Sequence, residues 1–101
     1  MLFDRDFSQA QDAITELQSE FTGVQIVSQV VDVTNEDQVD RVIQDMWTYC
    51  GSISHLLCFA GIVSCVPAID ITPGNFRRLI DVNTVGVFAC AQSLARYDYS
   101  T

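Results

Sequence analysis

Three stretches of this chain end on residues suited to holding a ligand. Asp4 closes "LFD", Asp32-Val33 closes "VQIVSQVVDV", and Phe59-Ala60-Gly61 closes "HLLCFAG". The two carboxylates are acceptors at the ends of extended runs. Ala60 and Gly61 have almost no side chain, so a flat or diphosphate-bearing ligand can come close to the main chain there. In open parallel sheets, ligands sit outside the carboxyl ends of the strands. An acid, an acid and a small pair along one such edge point to a dinucleotide. Each also has a plainer reading. Asp4 is near a charged terminus and could be merely solvated. Asp32 and Thr34 could cap a helix, and Ala60-Gly61 could be strand-end packing.

The other reactive residue types are poorly placed for chemistry. Cys50, Cys58, Cys65 and Cys90 include no C-x-x-C pair, so neither a metal nor a redox motif is expected. Free thiols buried in a reducing compartment are expected instead, with Cys58 and Cys90 inside apolar runs. The single histidine, His55, has no second histidine beside it and reads as a surface residue.

The elements that must position these residues follow from periodicity. Leu2–Asp4 reads as the end of a short strand. Ala10, Ala13, Ile14, Leu17 and Phe21 share one helical face. They imply a helix from about Gln9 to Phe21, with a capping box of Ser8 and Gln11 and a stop at Gly23. Val24 to Val31 is β-branched and reads as a strand. Thr34 caps the next helix, whose stripe is Val39, Val42, Ile43, Met46, Trp47 and Cys50, and Gly51 ends it. His55–Phe59 is apolar without alternation, as in a strand buried on both faces. Thr72-Pro73 starts another helix, with a break expected near Asn83 to Gly86. Val87 to Leu94 is apolar or small on nearly all sides, the mark of a helix buried in a core or against another subunit. The tail "YDYST" does not read as a continuation of that helix. Alternating strands and helices predict an α/β fold with parallel strands and helices on both faces.

Composition narrows the partners. The 101 residues amount to one domain or part of one, and the net charge is −8 with no lysine. Only Arg77-Arg78 are adjacent cations, so there is no basic stripe and nucleic acid is not an expected partner. The N-terminus lacks the apolar core of a signal peptide. No apolar run approaches the ~20 residues of a membrane span. A cytoplasmic location without membrane contact is expected.

With "LFDRD", "DVTNEDQV", "CFAGI" and "IDVNTVGVF" in this order and spacing, the sequence resembles the short-chain dehydrogenase/reductase family from about Leu2 to Arg96. The resemblance implies a partial Rossmann-type doubly wound parallel sheet over residues 1–101, without the family's first strand and C-terminal half. It implies NAD(P)-dependent hydride transfer between a small alcohol and a carbonyl. Asp4 would accept from the adenosine ribose hydroxyls, Asp32 would bond the adenine amino group, and the Val33 backbone would lie beside the ring. Cys58, Phe59, Ala60 and Gly61 align with an Asn-Asn-Ala-Gly motif that lines the cofactor. Val82 would pack near the adenine. Asn83 matches the helix asparagine of the catalytic tetrad, which helps hold a water in the proton relay. The helix Val87–Leu94 matches one that often joins subunits, so a homo-oligomer is implied. NAD is favoured over NADP because Asp4 would repel a 2′-phosphate, although Arg5 beside it could clamp one.

The departures bear on activity. Cys58 and Phe59 replace both asparagines of the motif. The Gly-rich phosphate loop, the catalytic serine and the Tyr-x-x-x-Lys pair have no counterpart in the 101 residues. Tyr97 and Tyr99 cannot substitute, since no lysine is present to lower a tyrosine pKa. The chain alone is therefore expected to be inactive. The alternative is a non-catalytic interaction module, or a truncated splice or gene-model product, that associates through its apolar helices.

Overall fold

A computed structural model of the chain describes residues 1–100. Its first unit, Met1–Asp32, is a strand, a helix and a strand. β1 (Leu2–Asp4) pairs in parallel with β2 (Ser28–Val30), Phe3 standing opposite Gln29. Two further bonds extend the ladder, Leu2 N–H to the Val27 carbonyl and Val31 N–H to the Asp4 carbonyl. The strand expected over Val24–Val31 is shorter than its β-branched run because β1 offers only three residues as a template. Helix α1 (Phe7–Glu20) packs on this pair and buries Ala10 and Ile14, on the face that the spacing predicted.

The cap of α1 differs from the expected capping box. Asp6 is the N-cap, and its carboxylate accepts from Gln9 N–H at 3.1 Å. Helix therefore begins at Phe7 and takes in Ser8. A carboxylate also suits the positive end of the helix dipole. Gly23 does take the left-handed conformation that follows the helix, with φ of +82°.

The second unit begins at Val33. Helix α2 (Glu36–Cys50) is capped by Asn35, not Thr34, through a bond from Gln38 N–H to Asn35 Oδ1. Glu36 and Asp37 stand in its first turn, where negative charge is favoured. Val39, Val42 and Ile43 are buried, and Gly51 ends the helix in the left-handed region. Helix α3 (Pro73–Ile80) is capped by Thr72 Oγ1, which accepts from Asn75 N–H. It continues into a π-helical turn, Asp81–Val85, where the break was expected, and then into α4 (Gly86–Ser100). Helix α4 runs past Leu94 through the tyrosine-rich tail, contrary to expectation. Tyr97 stacks on Trp47 of α2 with ring centroids 6.4 Å apart, which gives the extra turn an apolar contact to hold. Arg96 and Asp40 approach to 4.0 Å in solvent and contribute little.

Two expectations about burial are corrected. His55–Phe59 forms no strand: among the described residues no strand lies beside it. A segment without a partner strand gains no ladder bonds, and Leu57 and Phe59 are 75% and 88% exposed. Cys58 shares that segment and is exposed, as are Cys50 and Cys65. Cys90 alone of the four free thiols is buried, on α4. The all-round burial expected of Val87–Leu94 is also incomplete. Cys90 and Ser93 are covered, whereas Phe88 is 60% exposed, because α2 covers only one side of α4. Among the described residues, no helix is long and apolar enough to cross a membrane.

Two predictions follow from this packing. Ser93 Oγ is buried without a hydrogen-bond partner, and an unpaired buried hydroxyl costs about 1–3 kcal/mol. Ser93→Ala should therefore hold or raise stability in urea unfolding, whereas Ile43→Ala should lower it by about 2–4 kcal/mol. Burial pushes the Cys90 thiol pKa up, and the neighbouring Cys58 adds to the shift. A thiolate is the reactive form. A disulfide reagent at neutral pH should modify Cys50, Cys58 and Cys65 quickly and Cys90 only after denaturation. Fast labelling of Cys90 in the native protein would contradict its place in the core.

Candidate functional site

The turn Asp81–Val85 is wider than an α-turn, with Gly86 N–H reaching back to the Asp81 carbonyl. Turns of this kind open the helical ladder and often accompany functional sites. Asn83 lies in its middle. Its Oδ1 accepts from Ile62 N–H at 2.7 Å, and its Nδ2 donates to the Ile62 carbonyl at 2.8 Å. One carboxamide thus satisfies both backbone groups of one residue, as a neighbouring strand would. The residue before Ile62 is Gly61. A Cβ built there would lie 3.3 Å from Asn83 Oδ1, closer than most side chains tolerate. The small residue at 61 therefore has a protein partner as one reason for being small.

Asn83 is both a residue of the helix break and the anchor of the Gly61-Ile62 backbone. Val82 lies beside it in the same turn and is half-buried. At the end of the turn, Gly86 is buried with φ of −60°, an ordinary helical value. Its lack of a side chain matters for space. A Cβ at Gly86 would meet Val33 Cγ2 at 2.7 Å and Val33 Cβ at 3.1 Å. The second unit therefore connects Val33, Val82, Asn83 and Gly61 through the single turn 81–86. Sequence reasoning missed two members of this group. Gly86 had a signal, a glycine inside an apolar helix with no turn to make. Ile62 had none, because it takes part through its backbone.

Cys58, Phe59 and Ala60 are exposed on the unpaired segment that leads into Gly61. The Phe59 ring is largely in solvent, so it does not cover the Ala60-Gly61 main chain. Asp4 and Asp32 belong to the first unit. Asp4 ends β1 half-buried, and its Oδ1 accepts from Asp6 N–H at 2.9 Å, which fixes the carboxylate across the turn into α1. Its main-chain carbonyl is used by Val31. Asp32 is exposed, two residues beyond β2. A separate shallow groove runs along α4 past Val85, Phe88 and Arg96 and includes none of these residues. Among the described residues, no cluster of His, Cys, Asp and Glu could hold a metal ion.

A family model described as short chain dehydrogenase matches residues 1–99. A 2-dehydro-3-deoxy-L-rhamnonate dehydrogenase (NAD(+)) of Sphingomonas sp. (strain SKA58) is 29% identical over 87 residues, covering 85% of this chain and 34% of that protein. A short-chain type dehydrogenase/reductase from Mycobacterium marinum superposes with a TM-score of 0.85 at 33% identity, over 93% of this chain and 37% of its own. The structure of ElxO with NADP bound superposes with a TM-score of 0.81 at 25% identity, over 94% of this chain and 38% of that one. The chain thus spans about a third of the length of the relatives it matches. Its parallel α/β pattern is that of their Rossmann-type domains. With a family model spanning all but its last two residues, the chain belongs to the short-chain dehydrogenase/reductase family, whose members are NAD(P)-dependent oxidoreductases.

Proposed function

We propose that the second-unit residues Val33, Cys58, Phe59, Ala60, Gly61, Val82 and Asn83 belong to the adenosine-side part of the NAD(P) site of an alcohol/carbonyl dehydrogenase, and that the 101-residue chain does not turn over substrate by itself. The single observation that carries this reading is the double hydrogen bond between Asn83 and Ile62. It holds the Ala60-Gly61 main chain at a defined distance from the turn that bears Val82.

The residues present fit the adenosine half of a dinucleotide. Asp4 offers a carboxylate whose orientation is fixed by Asp6 N–H, suited to accepting from ribose hydroxyls. Asp32 would accept from the adenine amino group. The Val33 backbone and Val82 would border the ring. Cys58, Phe59, Ala60 and Gly61 would line the cofactor through their main chain. When bound, NAD(P) supplies the hydride chemistry. Both ends of the Asn83 amide are already engaged, so Asn83 would serve the proton relay by positioning. In that role the main-chain carbonyls of the widened turn are the groups left to hold a water. NAD is preferred over NADP in this proposal, since the Asp4 carboxylate disfavours the additional 2′-phosphate. A cytoplasmic setting and a small alcohol or carbonyl substrate complete the reading.

A second reading is favoured by one observation. Leu57, Phe59, Val63 and Ile69 are 75–94% exposed in consecutive loops. Such a surface suits a non-catalytic module that associates with another chain, or with a second copy through Val87–Leu94. Sedimentation read together with NAD binding separates the two readings. A chain that binds NAD supports the first, whatever its oligomeric state. An oligomer that binds no nucleotide supports the second.

The first reading predicts weak NAD binding by calorimetry and no change in nicotinamide absorbance with polyols or ketones, because a missing general acid alone costs about 10²–10⁴-fold. Turnover abolished by Asn83→Ala would overturn the inactive-chain proposal. The clamp is tested separately by amide exchange. Two net hydrogen bonds contribute about 1–3 kcal/mol, so Asn83→Ala should speed exchange at Ile62 by about ten- to a hundredfold. Unchanged protection would remove the observation on which the reading rests.

A further inference from the structure

Gly86 is a glycine without a conformational reason. Its φ of −60° and ψ of −42° are helical, and it opens α4 with no turn to make. Alanine is the better helix former by about 1 kcal/mol at an interior position. The one demand the structure makes at this position is space. A Cβ would stand 2.7 Å from Val33 Cγ2 and 3.1 Å from Val33 Cβ, and 3.4 Å from the Asp81 carbonyl oxygen. The first is shorter than real side-chain carbons show, and the second is tight enough that Val33 must give by a few tenths of an ångström. Valine is branched at Cβ, so a rotamer change cannot move its Cβ away. Relief at Cβ therefore takes a shift of the Val33 backbone by a few tenths of an ångström.

That turn carries Val82 and Asn83. Moving Val33 relative to it changes the separation between the Val33 main chain and Val82, the two groups that border the adenine in the reading above. We propose that Gly86 is a positioning residue for the nucleotide: by admitting Val33 against the start of α4, it sets how far the Val33 main chain stands from Val82 and so the room for the adenine. The inference rests on the proposed nucleotide site and adds a residue that touches no ligand. Packed protein interiors do not absorb an added methyl elastically, so the change is carried to the nearest movable segment. Here that segment is the loop at Val33, which lies before the N-cap Asn35 and outside the α2 ladder.

The test uses the full chain and AMP as the probe, with calorimetry for affinity and circular dichroism for folding. Gly86→Ala should keep its helix content and bind AMP about tenfold more weakly, the size of a typical overpacking penalty expressed as affinity. Val33→Gly in the Gly86→Ala background removes both crowding carbons, Cβ and Cγ2, and should restore AMP binding to within about threefold of the wild type, a rescue that a general loss of stability would not produce. Should Gly86→Ala fail to fold, the double variant carries the test, since it must both fold and bind. Wild-type affinity in Gly86→Ala overturns the inference and leaves the nucleotide reading intact, and so does a folded double variant that does not bind. Absence of AMP binding by the wild-type chain overturns the nucleotide reading and this inference with it.

Discussion

The candidate site depends on one side chain holding another residue's backbone. The Asn83 carboxamide presents an acceptor and a donor at a spacing that matches the N–H and C=O of Ile62. A backbone group removed from water must find a partner somewhere. For Ile62 no strand supplies it, and Asn83 does. Only an amide does this, since a carboxylate would face the Ile62 carbonyl with a second acceptor. The cost falls on the helix, which widens to a π-turn between Asp81 and Val85 where Asn83 lies. Local helical regularity is exchanged for a fixed loop.

The same turn is bounded by a second constraint of opposite character. Asn83 draws a segment in by hydrogen bonding, whereas Gly86 lets Val33 in by having no Cβ. Attraction at one end and vacated volume at the other determine where two separate loops stand relative to one helix break. The helices themselves are supported differently. Val39, Val42 and Ile43 of α2 bury an apolar stripe, and Trp47 with Tyr97 extends the contact between α2 and α4. That packing gives the turn a firm base, because α4 begins where the turn ends.

The segment His55–Phe59 shows what a strand-forming sequence does without a neighbour. Apolar, β-compatible residues favour a pleated, covered environment, and the preference is expressed through cross-strand packing and ladder bonds. β1 and β2 supply both to each other, even with three residues each. Leu57 and Phe59 have neither and stand in solvent. Their exposure is the physical basis for the competing association reading, and it also leaves the main chain from Cys58 to Gly61 accessible.

Much of this protein was legible in its sequence. The stripes of α1 and α2 follow from spacing near 3.6 residues, and a helix that buries one face obeys that period whatever its neighbours are. The stop at Gly51, the Thr72-Pro73 start and the break near Asn83 follow from local backbone chemistry. The family was legible in four short motifs, and Asn83 was marked out by its place in one of them. What the tertiary structure decided was every feature that needs a partner distant in the chain. Whether His55–Phe59 is a strand depends on an adjacent strand. Whether Cys58 is buried depends on the same thing. The extension of α4 depends on Trp47 waiting for Tyr97. The meaning of Gly61 and Gly86 depends on Asn83 and Val33, 22 and 53 positions away in the chain. A sequence states which bonds and volumes each residue can offer. Only the folded chain states which of those offers are met, because hydrogen bonding and close packing are properties of pairs.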